Sequence, residues 1–159
     1  MAPSNFERMI QLAGEVFDVK SDPDQLDVNE KVIERLINIH PATVSEFDDG
    51  KGPVVWILLI PTSLELMQKF LRKEISEKNL FELTQPGEIY EAVYLCSAMV
   101  LEEYRKKGIA KRMTIEAIEK IRKDHPLKKL FVWPFSKGGD ALADAISKAT
   151  NLPLLKRLA

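Results

Sequence analysis

The densest chemical signal in the chain is Arg105-Lys106-Lys107-Gly108-Ile109-Ala110-Lys111-Arg112, with five fixed positive charges around one glycine. It follows an apolar run with β-branched and aromatic residues, Tyr90–Leu101. It precedes Ile109, Met113, Ala117 and Ile121, which recur every four residues as along one face of a helix. The spacing puts the basic cluster at a strand-to-helix turn. N–H groups in the first turn of a helix have no intrahelical acceptor, and the helix dipole adds about half a positive charge there. Gly108 permits a positive φ or a close backbone approach, and Ala110 is too small to block a ligand. Residues of these types in this order predict a cradle for a phosphate or pyrophosphate group.

The elements that position this turn are legible on both sides. Phe6, Met9, Ile10, Ala13 and Phe17 form an apolar helical stripe. Asp22-Pro23, with Gln25 three residues after the aspartate, predicts the capped start of a second helix. That helix carries Val32, Ile33, Leu36 and Ile37 and stops before Pro41. Thr43–Phe47 and Val54–Ile60, separated by Asp48-Asp49-Gly50-Lys51-Gly52, predict a hairpin whose second strand is apolar on both faces. Thr62 and Glu65 have capping-box spacing and start a helix read over Thr62–Lys78. The helix after the basic turn runs to about Lys123, supported by Glu116–Lys120 and Glu119–Lys123 pairs. His125-Pro126 ends it, Leu130–Trp133 is a short strand, and Leu142, Ala145, Ile146 and Ala149 mark a last helix closed near Asn151. Strand, crossover helix and strand within about 45 residues make a right-handed βαβ unit. The expected class is α/β (α+β), a mixed central sheet flanked by helices, within a single domain over residues 1–159.

Composition narrows the function classes. The chain is 45% hydrophobic and 30% charged, which places it with globular rather than disordered proteins. No apolar run approaches the roughly 20 residues of a membrane span, so no membrane partner is expected. The start MAPSNFERMI lacks the basic and apolar regions of a secretory signal. The single cysteine, Cys96, gives neither a disulfide framework nor a thiolate cluster for a metal. A cytoplasmic location and no metal are the expectations. The net charge of −1 hides a balance of −7 over residues 1–50 and +5 over residues 102–129. A near-neutral chain without aromatics interleaved in its basic helix is a poor match for nucleic acid. The acidic half favours a cationic partner by long-range attraction.

Over residues 92–123 the sequence resembles the GCN5-related N-acetyltransferase superfamily. The family's acyl-CoA loop, Arg/Gln-x-x-Gly-x-Gly/Ala between its fourth strand and third helix, is matched by Arg105-Lys106-Lys107-Gly108-Ile109-Ala110. Glu103-Tyr104 is similar to the family's approach to that loop. The resemblance implies an acyl-CoA N-acyltransferase-like fold and transfer of acetyl from acetyl-CoA to a primary amine by direct attack. It implies that loop amides from Lys106, Lys107, Gly108, Ile109, Ala110 and Lys111 hold the CoA pyrophosphate, with Arg105 opening the loop. Ala98, Met99 and Val100 would pair with the pantetheine arm as with an added strand. The acceptor would be a small molecule or peptide bearing an amine.

The same resemblance exposes departures. Many members use a tyrosine after the fifth strand as acid, but this chain has no tyrosine beyond Tyr104. Some use a fourth-strand glutamate as base; the matching place lies near Tyr94, and Glu91 falls on the opposite face by strand alternation. Cys96 shares the face of Tyr94 on the same alternation. Tyr94, Glu91 and Ser136 are the candidates for proton handling. His40 and His125, each before a proline, read as helix ends, and Trp56 and Trp133 as core. Only Leu152–Ala159 follow the last helix, enough for one strand where the family often has two. The Thr62–Lys78 helix is a packing element, a cover for the acceptor cleft or the surface of a homodimer. A non-catalytic acyl-CoA-binding sensor or interaction module is the alternative these departures raise.

Overall fold

Val54–Ile60, apolar throughout, becomes the centre of β2 (Pro53–Thr62), and its side chains are buried apart from a half-exposed Trp56. The computed structural model describes residues 3–20, 30–134 and 137–158, the side chains of residues 16–20 excepted. β1 (Val44–Asp48) and β3 (Ala92–Val100) flank β2, both antiparallel to it. β4 (Lys129–Val132) lies parallel to β3, and β5 (Leu154–Lys156) parallel to β4. The strands stand in the order β1-β2-β3-β4-β5, a mixed five-stranded sheet. The β1–β2 turn is held by Asp48, whose carboxylate accepts from the N–H groups of Gly50 (2.7 Å) and Gly52 (3.0 Å).

Helices make the parallel connections. α5 (Ile109–Asp124) joins β3 to β4 and α6 (Lys137–Thr150) joins β4 to β5. α1 (Asn5–Lys20) and α5 both pack against β2 and β3, and α2 (Glu30–Ile39) lies against β1. Ile118 and Ile121 of α5, Leu36 of α2 and Met9 of α1 are fully buried with Ile60 and Phe131 in one apolar core. The predicted class of mixed α/β structure is the class observed. The cap read at Asp22, Pro23 and Gln25, and the side chain of Phe17, lie outside the described residues.

Local chemistry overrides the pattern in three places. The helix expected over Thr62–Lys78 is two helices, α3 (Leu64–Leu71) and α4 (Glu77–Leu83). Lys73 takes a positive φ of 64°, and Glu74 N–H reaches back to Lys69 C=O at 2.9 Å, closing α3 in the manner of a left-handed helix cap. Ser76 and Asn79 then form a reciprocal capping box that starts α4. The cap of α3 is Ser63, which accepts from Leu66 N–H at 3.1 Å. Thr62 stays in β2, its hydroxyl bonded to that of Thr84 at 2.7 Å. On α5, Glu119 pairs with Arg122 at 2.7 Å rather than with Lys123.

Candidate functional site

The site begins with a defect in β3. Ser97 lies opposite Leu58 and Leu95 opposite Leu59, so Cys96 is an extra residue, a β-bulge. On its other side β3 pairs with β4 only over Ala92–Tyr94. From Leu95 to Val100 it is held by β2 alone, and the two parallel strands diverge. The opening is a cleft of about 350 Å³ bounded by Leu95–Val100, Val132–Pro134, Arg105, Ala110 and the start of α6.

Strand parity decides which main-chain groups face that opening. Leu101 N–H donates to Val54 C=O of β2 at 3.0 Å. Met99, in step with Leu101, therefore directs its main chain at β2, whereas Ala98 and Val100 direct theirs at the cleft. Of the three residues expected to pair with an extended ligand, Ala98 and Val100 turn their main chain to the cleft and Met99 turns its main chain to β2. Arg105 Nε donates to Val100 C=O at 3.0 Å, tying the first residue of the basic loop to the strand end.

The loop has the conformation that its glycine predicts. Gly108, the N-cap of α5, sits at φ 76° and ψ 8°, and Lys106 also has a positive φ of 62°. Arg112 N–H closes the first helical turn onto Gly108 C=O at 3.0 Å. Six consecutive N–H groups, Lys106 to Lys111, have no acceptor among the described residues. Residues 105–108 and 111 are exposed, and Ile109 and Ala110 partly so. The amides thus face solvent beside Arg105, Lys106, Lys107 and Lys111, as an anion cradle requires.

Two clamps fix the approach to the loop. Arg8 of α1 makes a paired contact with Glu103, at 2.7 and 2.6 Å. That hydrogen bond is the main reason the Glu103 carboxyl is held down at about 2. Tyr104 donates its hydroxyl to Asp49 in the β1–β2 turn, which raises the phenol and lowers the carboxyl. Asn5 Nδ2 also reaches Asp49, at 3.1 Å. The Lys107 ammonium lies over the Tyr104 ring, 5.4 Å from its centroid. Sequence reasoning singled out Glu103-Tyr104 but not their partners, which lie far along the chain.

Of the proton-handling candidates, Tyr94 and Glu91 are engaged outside the cleft lining. Tyr94 is buried and donates to Glu77 Oε2 at 2.5 Å; burial, then the Glu77 charge, pushes its phenol well up. Glu91 precedes β3 at the end remote from the loop and pairs with Lys128 at 2.6 Å. Ser136 lies outside the described residues. Cys96 and Ser97 line the cleft, and among its described lining no carboxylate or imidazole occurs. His40 accepts from Ala42 N–H through Nδ1 at 3.0 Å and meets Asp124 through Nε2 at 2.7 Å. His125 Nδ1 accepts from Tyr90 N–H at 3.3 Å. Both histidines sit at helix ends, as expected, and are engaged there. Trp56 packs edge-on to Phe6 and bonds Glu46, whereas Trp133 borders the cleft.

Among the described residues no group of three or more His, Cys, Asp or Glu side chains is placed to hold a metal ion, and no helix is long and apolar enough to cross a membrane. No family model and no curated protein matches this chain.

Proposed function

We propose that the chain is an acyl-CoA-dependent N-acyltransferase of the GCN5-related type, transferring acetyl from acetyl-CoA to a primary amine. One observation carries the reading: the solvent-facing amides of Lys106–Lys111 and the open edge of β3 at Ala98 and Val100 meet at the same cleft. The first suits a pyrophosphate. The second suits an extended amide-bearing arm, which adds to a free strand edge by main-chain hydrogen bonds. CoA has both groups joined in that order.

The chemistry follows from the placement. CoA brings the activated acyl group, and the protein supplies position. With the pyrophosphate on the loop, the thioester lies along Ala98 toward Cys96. A main-chain N–H there polarises the carbonyl and supports the developing oxyanion. The amine nitrogen bonds to the carbonyl carbon, the C–S bond breaks, and CoA leaves as thiolate. Water in the cleft carries the amine proton away, because Tyr94 and Glu91 are held by Glu77 and Lys128. That engagement also favours a second reading, a GCN5-related module that binds acyl-CoA without turning it over. A cytoplasmic setting, where acetyl-CoA is made and used, fits both.

Turnover of acetyl-CoA against a panel of primary amines, followed by release of free thiol, tests the enzyme reading. Thiol release that depends on amine is the expected result. CoA binding without release across the panel supports the module instead, and absence of CoA binding removes both.

A further inference from the structure

The cleft wall at Trp133 has a charged neighbour behind it. Arg157 follows β5, and its N–H donates to Val132 C=O at 2.9 Å, so Arg157 is fastened to the strand that borders the cleft. The Arg157 guanidinium lies 4.4 Å from the centroid of the Trp133 ring and 4.5 Å from that of Phe70. Those two rings stand at 77° to each other with centroids 6.1 Å apart. Phe70 packs edge-on to Tyr94 at 5.0 Å. The Tyr94 hydroxyl is bonded to Glu77, and the charges of both Glu77 and Arg157 act on it. Glu77 is fully buried and Arg157 is only 5% exposed.

This is a cation cage. Two aromatic faces receive the positive group, and a buried carboxylate with a phenol supplies the polar complement. Burying charged side chains is weak grounds for stability, since hydrophobic residues of similar volume often serve as well or better. The cage shares Trp133 with the cleft, so a cation seated in it is one ring away from the acyl site.

We propose that the Phe70–Trp133–Tyr94–Glu77 cage is the seat for a guanidinium or alkylammonium group of the acceptor, and that Arg157 occupies it in cis. Arg157 thereby closes the acceptor side until a cationic substrate displaces it. The inference rests on the acyltransferase reading and narrows its acceptor to amines that carry a second cationic group. The excess of acidic residues over 1–50 attracts the same class.

Titrating the full chain with agmatine, which carries both a guanidinium and a primary amine, tests the seat by NMR. The guanidinium's place over Trp133 and Phe70 predicts ring-current shifts for protons of the Arg157 side chain. Saturating agmatine is expected to move them to solvent-exposed positions, with 1-pentanol as a neutral control that leaves them in place. Arg157→Ala is expected to bind agmatine at least tenfold more tightly than the unaltered chain, with CoA affinity unchanged. Arg157 signals that stay ring-shifted at saturating agmatine, or that move equally with 1-pentanol, overturn the proposal. This result is read on the unaltered chain, so it stands if the variant fails to fold. Loss of CoA binding to the loop amides is scored separately, on their own resonances, and concerns the acyltransferase reading rather than the cage.

Discussion

Replacing Gly108 with glutamate separates the loop's ligand chemistry from its part in the fold. At φ 76° an added side chain is strained, but a Cβ there meets no atom within 4 Å. The cost to the free chain is therefore the left-handed backbone alone, about 1–2 kcal/mol. For a chain of this size that lowers Tm by roughly 2–8 °C, on a scale of about 2–4 °C per kcal/mol. CoA at a hundred times its Kd adds about 2.7 kcal/mol, which is roughly 5–11 °C on the same scale. A carboxylate projecting from the cradle meets the diphosphate both sterically and as a like charge, and at least a hundredfold loss of affinity is expected. At the same CoA concentration the stabilisation then falls to about 0.4 kcal/mol, a shift of roughly 1–2 °C. Differential scanning fluorimetry with and without CoA, beside calorimetric titration, measures both quantities. Gly108→Ala, with the same strain and neither charge nor length, should lower Tm equally and keep part of the CoA shift. If Gly108→Glu folds and retains the full shift, CoA does not sit on these amides.

The Arg8–Glu103 clamp gives a pH-dependent prediction. The Glu103 carboxyl titrates at about 2 against an ordinary 4.5, so the clamp's contribution is fully present above about 4.5 and is lost as pH falls through about 2. In Arg8→Ala the NMR titration of Glu103 should return toward 4.5, and an unchanged value would mean that Arg8 is not its cause. Tyr94→Phe leaves the buried Glu77 without one donor, which should cost about 1–3 kcal/mol in urea unfolding with CoA affinity unchanged. A fall of more than tenfold in kcat at unchanged stability would instead make Tyr94 a proton-handling group.

The turn at Gly108 was legible because its signals are local: basic residues, one glycine and a four-residue apolar repeat lie within about one helix of each other. What holds it was not. Arg8 and Glu103 are 95 residues apart, and Tyr104 and Asp49 are 55 apart. Their types are ordinary for solvated faces, and only the packing of α1 and the β1–β2 turn against the loop pairs them. Glu77 was hidden by the reading of one helix across Thr62–Lys78. The Ser76–Asn79 cap that divides it is written in the sequence, but the spacing of Leu64, Met67, Phe70, Leu71 and Ile75 carries one apolar helical face right up to it. His40 shows the reverse error of scale. It ends a helix as read, yet its ring is fixed by Asp124, 84 residues away.

The bulge at Cys96 resets the period-two alternation of β3. In a regular strand Tyr94, Cys96 and Ala98 share a face. Here Leu95 and Ser97 lie opposite Leu59 and Leu58, adjacent residues of β2 and hence on opposite faces. Alternation therefore resets across Cys96. Tyr94 falls in with Ser97 and Met99 rather than with Ala98, while Cys96, the unpaired residue, stays close enough to Tyr94 to act on its phenol. Glu91 lies before β3 and pairs with Lys128, whereas Tyr94 is engaged by Glu77. The same extra residue coincides with the end of β4 pairing at Tyr94. One local irregularity thus separates a regular, fully paired half of β3, which buries Tyr94 with Glu77, from an open half whose edge belongs to the cleft. The open edge at Ala98 and Val100 is the consequence of where that residue was inserted.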